Sequence, residues 1–223
     1  MNLKKLLKFA VVVLVLGGVG FLFVRSADDA REAAYTVDRA HLKNWQLSIE
    51  SADVLAAPVL VLKPPQQLAA ALFRQVFSRG MESLVAPTMP TVPLLLRSEL
   101  ESGFGGQLTT ATILAAARAA QLESATFMPR CLGYRRISDP GVTKQLYFLV
   151  FESPAFDQFR QSLAARPEAS VGTFNPLALS PVMFIGTAGA TLNQWLPLRV
   201  DAAADCVAPV ELLSDPSGGT AAR

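Results

Sequence analysis

Chemistry in this chain is limited first by its single histidine, His41. One imidazole excludes a zinc site of two or three histidines, a His-Glu-x-x-His metalloprotease and a two-histidine iron centre. A catalytic triad would have to use His41, yet neither a Gly-x-Ser-x-Gly nucleophile motif nor a Ser-x-x-Lys pair accompanies it. The plainer role for His41 is a partly exposed structural residue near the start of the domain, with general base as the alternative.

Cys131 and Cys206 are the only cysteines and lie 75 positions apart. That separation makes neither a CxxC redox motif nor a cysteine-rich metal site. In an oxidising compartment two such cysteines are expected to pair, and closing a loop of this length stabilises a fold by about 4 kcal/mol on the chain-entropy model. Two free buried thiols, or a nucleophilic Cys131 beside His41, are the competing readings.

Other motifs are weaker. Residues 102–107 (SGFGGQ) lack both the Gly-x-Gly-x-x-Gly spacing and a Walker lysine, so they read as a flexible glycine-rich turn rather than a phosphate cradle. Asp28-Asp29 and Asp201/Asp205 are too sparse for a calcium loop. Carboxylate pairs of the glycosidase kind meet in space and leave no sequence motif. Glu99/Glu101 would be the naive pair, and exposed loop charges are their expected role. No metal and no cofactor is expected.

One basic concentration remains: Arg130, Arg135, Arg136 and Lys144. Strand alternation places Arg130 and Arg136 on one face with Tyr134 beside them, where a carboxylate, a phosphate or an anionic glycan could dock. The alternative is that these charges solvate or protect a strand edge.

These residues sit on a readable set of elements. Residues 45–50 (WQLSIE) alternate as a strand, and 57–63 (APVLVLK) form an apolar run of strand length. Pro64-Pro65 opens a helix in which Leu68, Leu72 and Val76 recur at four-residue spacing, with Phe73 and Phe77 beside them and Gly80 in the position after its end. Residues 85–93, with three prolines, read as an extended loop, and 94–96 as a short strand. Thr109 or Thr110 caps a second helix whose stripe is Ile113, Leu114, Ala117 and Leu122. Residues 127–137 and 142–151 make a hairpin, with Pro140-Gly141 fitting the two central positions of a type II turn. The second arm is apolar on both faces and is read as a central strand. Ser153-Pro154 starts a third helix, lined by Phe156, Phe159 and Leu163 and ending before Pro167. Residues 181–186 (PVMFIG) are the last expected core element.

The N-terminus is of a different kind. Lys4, Lys5 and Lys8 precede sixteen residues without a charge, Phe9 to Val24, the layout of a segment that enters a membrane. Three lysines before the run against Arg25 after it orient the chain with its N-terminus cytoplasmic and its domain outside. Sixteen helical residues reach about 24 Å against a hydrocarbon layer of about 30 Å, and Leu6, Leu7 and a snorkelling Lys8 extend the span. The small residues available, Gly18/Gly20 and Val24/Ser26, do not make an Ala-x-Ala site, so an uncleaved single-pass anchor is expected; cleavage would leave a soluble exported protein.

This segment also accounts for the apparent basicity. The formal charge of the chain is +2, yet the residues after Arg25 carry 16 basic and 18 acidic side chains, a net of −2. With three lysines in that portion, a phosphate-neutralising surface is missing and nucleic acid is not an expected partner.

The expected architecture is therefore an α+β domain, a mixed sheet with about three packed amphipathic helices, preceded by one N-terminal transmembrane helix. Residues 1–25 are the signal anchor, 26–34 a juxtamembrane linker, 35–213 one extracytoplasmic domain and 214–223 a frayed tail. The expected function is a membrane-anchored envelope module that binds or scaffolds, with the lipid bilayer and an anionic envelope component or protein as partners. Arg130, Tyr134, Arg135, Arg136 and Lys144 are its candidate contacts. An exported hydrolase using a carboxylate pair and a carrier of a small apolar ligand are the alternatives.

Overall fold

A computed structural model describes residues 3–51, 57–80, 83–88, 90–139, 142–171, 174–189 and 198–213. The chain divides into two units, Met1–Ala33 and Ala34–Arg223. The first is one helix, α1 (Leu3–Glu32), 30 residues long. It continues through most of the stretch read as a linker, because Ser26 to Glu32 includes no glycine or proline to stop it. Val12 to Leu16, Val19, Phe21, Leu22 and Val24 expose more than half of their surface. Among the described residues no helix is long and apolar enough to cross a membrane, so the fold by itself does not carry the expected transmembrane helix.

The second unit is α+β, with a mixed sheet and several helices. Strands β1 (Tyr35–Asp38), β8 (Cys206–Leu213), β5 (Met128–Asp139), β6 (Val142–Glu152) and β7 (Val182–Ala188) form one sheet in that spatial order. The β1–β8 pair is parallel and the other pairs are antiparallel. A second sheet, antiparallel, contains β2 (Gln46–Ile49), β3 (Pro58–Lys63) and β4 (Val92–Leu96). Strand β6 lies between β5 and β7 as its two-sided apolar pattern predicts. Leu149 and Phe151 enter the main core, while Leu146, Phe148 and Val150 enter a smaller cluster with Cys131, Val182, Phe184 and Leu198.

Helices α2 (Gln66–Arg79), α4 (Thr110–Ala119) and α5 (Pro154–Ala164) are the three legible from periodicity. Leu68, Leu72 and Val76 of α2 are buried; Phe77 is not, and stacks 6.0 Å from Phe73 at 54% exposure. Gly80 follows the end of α2, as its place in the sequence predicts, in an extended conformation with φ −80°. The Thr109 hydroxyl accepts the Thr112 N–H and the Ser153 hydroxyl accepts the Phe156 N–H, so both expected N-caps are formed.

Three further elements depart from the sequence reading. Residues 102–104 are the last turn of α3 (Arg97–Phe104), and only Gly105 and Gly106, at φ 58° and 72°, take the left-handed conformation of a turn. Pro93 lies within β4 rather than in the preceding loop. A short helix α6 (Ala202–Asp205) leads directly into β8. The type II turn at Pro140-Gly141 and the tail 214–223 lie outside the described residues.

Cys131 and Cys206 form the expected disulfide, with Cα atoms 5.7 Å apart. It joins β5 to the start of β8, beside the Gly133–Cys206 pair of the ladder. In the parallel edge strand β1, the Thr36 N–H donates to the Gln75 side-chain oxygen at 2.9 Å and the Gln75 amide donates to the Thr36 carbonyl at 2.8 Å. One glutamine thus pairs with the outer edge of β1 as a further strand would.

Candidate functional site

The basic residues of the hairpin do not converge. Arg130 stands at a register irregularity between Pro129 and Cys131, and its guanidinium lies 3.0 Å from Glu152 on the neighbouring strand. Tyr134 faces Tyr147 across the ladder with ring centroids 5.1 Å apart, and its hydroxyl donates to Gln145 at 2.9 Å. Lys144 pairs across the ladder with Ile137, and Arg136 is exposed on the adjoining position. Arg135 points to the opposite face. Its Nε donates to Asp205 Oδ1 at 2.9 Å, and its Nη2 donates to Asp205 Oδ2 and to the Arg199 carbonyl. The hydrogen bond from Arg135 holds the Asp205 carboxyl below its ordinary value of 3.8; the Asp201 backbone N–H assists, and burial opposes the shift. This arginine is a structural clamp over the segment that leads into β8.

The naive carboxylate pair separates. Glu101 is exposed, whereas Glu99, expected as an exposed loop charge, is held by the fully buried Arg160. His41 is partly buried in the 3-10 turn Arg39–Leu42. Among the described residues no group of three His, Cys, Asp or Glu side chains could hold a metal ion.

A site that the sequence did not indicate lies where that 3-10 turn meets the end of α4. An open cleft of about 800 Å³ is lined by Arg39, Leu42, Lys43, Asn44 and Trp45 on one side and by Arg118 and residues 121–126 on the other, with Met128 and Leu212 completing it. Its frame is built by local bonds. The Asp38 carboxylate caps the turn by accepting the Ala40 N–H at 2.8 Å. The Trp45 indole N–H donates to the Leu42 carbonyl at 2.7 Å, which pins the ring beneath the turn against Phe127 (5.1 Å) and Phe151 (5.6 Å). Opposite, the Gln121 N–H donates to the Arg118 carbonyl and the Leu122 N–H to the Ala117 carbonyl, a Schellman closure of α4. Glu123 accepts the Leu47 N–H at 3.2 Å and ties this corner to β2.

Two properties distinguish the cleft. Asn44 (φ 63°) and Gln121 (φ 53°) are the positive-φ residues other than glycine among the described residues, and both line it. Glutamine in the left-handed region costs about 1 kcal/mol where glycine would cost nothing. The second property is charge. Arg39, Lys43 and Arg118 are exposed and form no ion pair among the described residues, while Glu123 is the one carboxylate in the lining. One opposed carboxylate gives no pair for glycoside chemistry, and an open groove does not enclose an apolar cargo. Cations above an apolar floor suit binding. Sequence reasoning missed the site because Arg39 and Arg118 are far apart in the chain and only the fold brings them together. Comparison with protein-family models, curated proteins and solved structures finds no match to this chain.

Proposed function

We propose that the protein is a membrane-tethered binding module whose domain stands outside the cytoplasm. The observation that carries this reading is α1, in which the uncharged run from Phe9 to Val24 follows three lysines and presents exposed Val, Leu and Phe side chains. Apolar surface of that extent on a helix calls for a lipid or protein cover. A run of about 24 Å is short for a bilayer of about 30 Å, so the tether relies on local thinning of the bilayer. The Cys131–Cys206 bridge supports the same compartment, because disulfides persist where the surroundings are oxidising.

Binding rather than catalysis is favoured by the cleft beside Trp45, which gathers cations and neutral polar groups over an apolar floor without a nucleophile–base pair. Carbonate extraction and protease accessibility of intact cells test the tether and its direction. Recovery in the membrane pellet, with the domain digested only from outside, is the expected result. A domain that stays in the soluble fraction and is protected from external protease would overturn the reading.

A further inference from the structure

We infer that the cleft between the Arg39–Leu42 turn and the end of α4 is a binding site for a small organic anion with an apolar body, its carboxylate or phosphate head held by Arg39, Lys43 and Arg118. This rests on the binding-module reading and names the ligand class for it. The charge distribution is the first argument. The domain from Ala34 onward carries 15 basic and 15 acidic side chains, yet the cleft gathers three cations against one carboxylate, a local positive excess in a domain of no net charge. Like charges gathered on one cleft repel one another, and an anion seated among them relieves that repulsion while gaining charge-assisted hydrogen bonds. Of the cations elsewhere, Lys63 pairs with Glu50, Arg130 with Glu152, Arg135 with Asp205 and Arg160 with Glu99, while Arg74, Arg136, Arg166 and Arg199 form no ion pair among the described residues and do not share this cleft.

The second argument is the floor. Met128 is 42% exposed at the cleft, Leu42 and Leu212 are partly buried, and Trp45 closes the base. A bare inorganic anion would leave this apolar surface wet, whereas a ligand with a hydrocarbon or aromatic body covers it. The third argument is preorganisation. Both walls are fixed by hydrogen bonds made without a ligand, the Trp45–Leu42 bond on one side and the Schellman closure on the other. Two residues are kept there in a backbone region that costs energy for side chains. At Gln121 a glycine would close the helix with less strain, and a glutamine places an amide at the rim of the cleft instead.

The test uses the full chain in phosphatidylcholine nanodiscs, with empty discs as the blank, and 2-naphthoate, 2-naphthamide and inorganic phosphate as probes. Saturation-transfer NMR and titration calorimetry are expected to show saturable binding of 2-naphthoate, with the uncharged amide and inorganic phosphate each at least tenfold weaker. The triple variant Arg39→Ala/Lys43→Ala/Arg118→Ala is expected to lose at least tenfold in naphthoate affinity with its melting temperature kept. Glu123→Gln retains an acceptor for the Leu47 N–H while removing the opposing charge, so it is expected to tighten naphthoate binding severalfold. Equal binding of naphthoate and naphthamide, or an affinity unchanged in the triple variant, would overturn the anion site. Such a failure leaves the extraction and protease results untouched, so it is distinguishable from failure of the membrane-tethered reading.

Discussion

Arg160 and Glu99, 61 positions apart, are joined in a network that uses every N–H of the guanidinium. Its Nε donates to the Pro176 carbonyl at 2.7 Å. One terminal nitrogen donates to Leu94 O and Glu99 Oε2, and the other to Asn175 O and Glu99 Oε1. Glu99 in turn accepts the Leu96 N–H at 3.0 Å. The side chain of Arg160 is fully buried and so is paired only with protein groups. A pair of this kind repays little more than the cost of taking both charges out of water, so its stability shows mainly when one partner is lost.

Arg160→Met is therefore expected to destabilise the domain by about 3–5 kcal/mol, because it leaves the Glu99 carboxylate and three carbonyls in place without their donor. The double variant Arg160→Met/Glu99→Gln is expected to cost less than the sum of the single changes. Urea unfolding followed by circular dichroism measures both, and a single-variant loss below about 1 kcal/mol would remove Arg160 as the clamp of α5 on β4 and α3.

This network also marks the limit of what the sequence discloses. Helices α2, α4 and α5 announce themselves by caps and by a stripe of buried apolar residues, and the β5–β6 hairpin by two long apolar arms. Helix α3 does not. Its residues 102–104 precede two glycines and suggest a turn, and the helix is completed by Glu99 meeting an arginine on α5 that no local pattern connects to it. Strand β8 is hidden for a similar reason. Its burial alternates at every residue, but its outward positions include Val207, Pro209 and Leu213, so the residue types do not show the alternation, and its partners are the distant β1 and β5. The hairpin cations were legible as residues but not as a site. Alternation by itself turns Arg135 away from Tyr134 and Arg136, and the partner that claims it, Asp205, lies 70 positions on. The cleft cations come from the 3-10 turn and from the end of α4, and nothing in either segment refers to the other.

The Arg135–Asp205 clamp predicts a pH dependence. The Asp205 carboxyl titrates below 3.8 in the folded protein, owing first to the Arg135 hydrogen bond. A depressed folded-state value means that the unfolded chain takes up the proton first as pH falls. The stabilisation is thus complete above the unfolded value and is lost as pH drops from there through the folded value. Asp205→Asn is expected to cost about 2 kcal/mol at neutral pH, the scale of a hydrogen bond to a charged group. The gap between variant and wild type should narrow below about pH 4, near the unfolded carboxyl. Unfolding midpoints measured from pH 7 to pH 2.5 check this, and a gap that stays constant over that range would show that the pair does not contribute by ionisation.

Gly133 on β5 lies directly across the ladder from Phe148 on β6, and the ring of Phe148 covers the place a side chain would take. Phe148 has no exposed surface and packs edge-on to Phe184 with centroids 6.4 Å apart, in the cluster that includes the disulfide. A methyl group at 133 would fall well inside contact distance of that ring, which is packed against Phe184. Gly133→Ala is accordingly expected to destabilise the domain by about 3 kcal/mol, lowering Tm by about 6–12 °C for a unit of this size. The cause is specific to one ring, so Phe148→Leu in the Gly133→Ala background should recover part of the loss even though Phe148→Leu alone is destabilising. If the two changes instead add, the cost at position 133 comes from the strand backbone and not from the aromatic side chain above it.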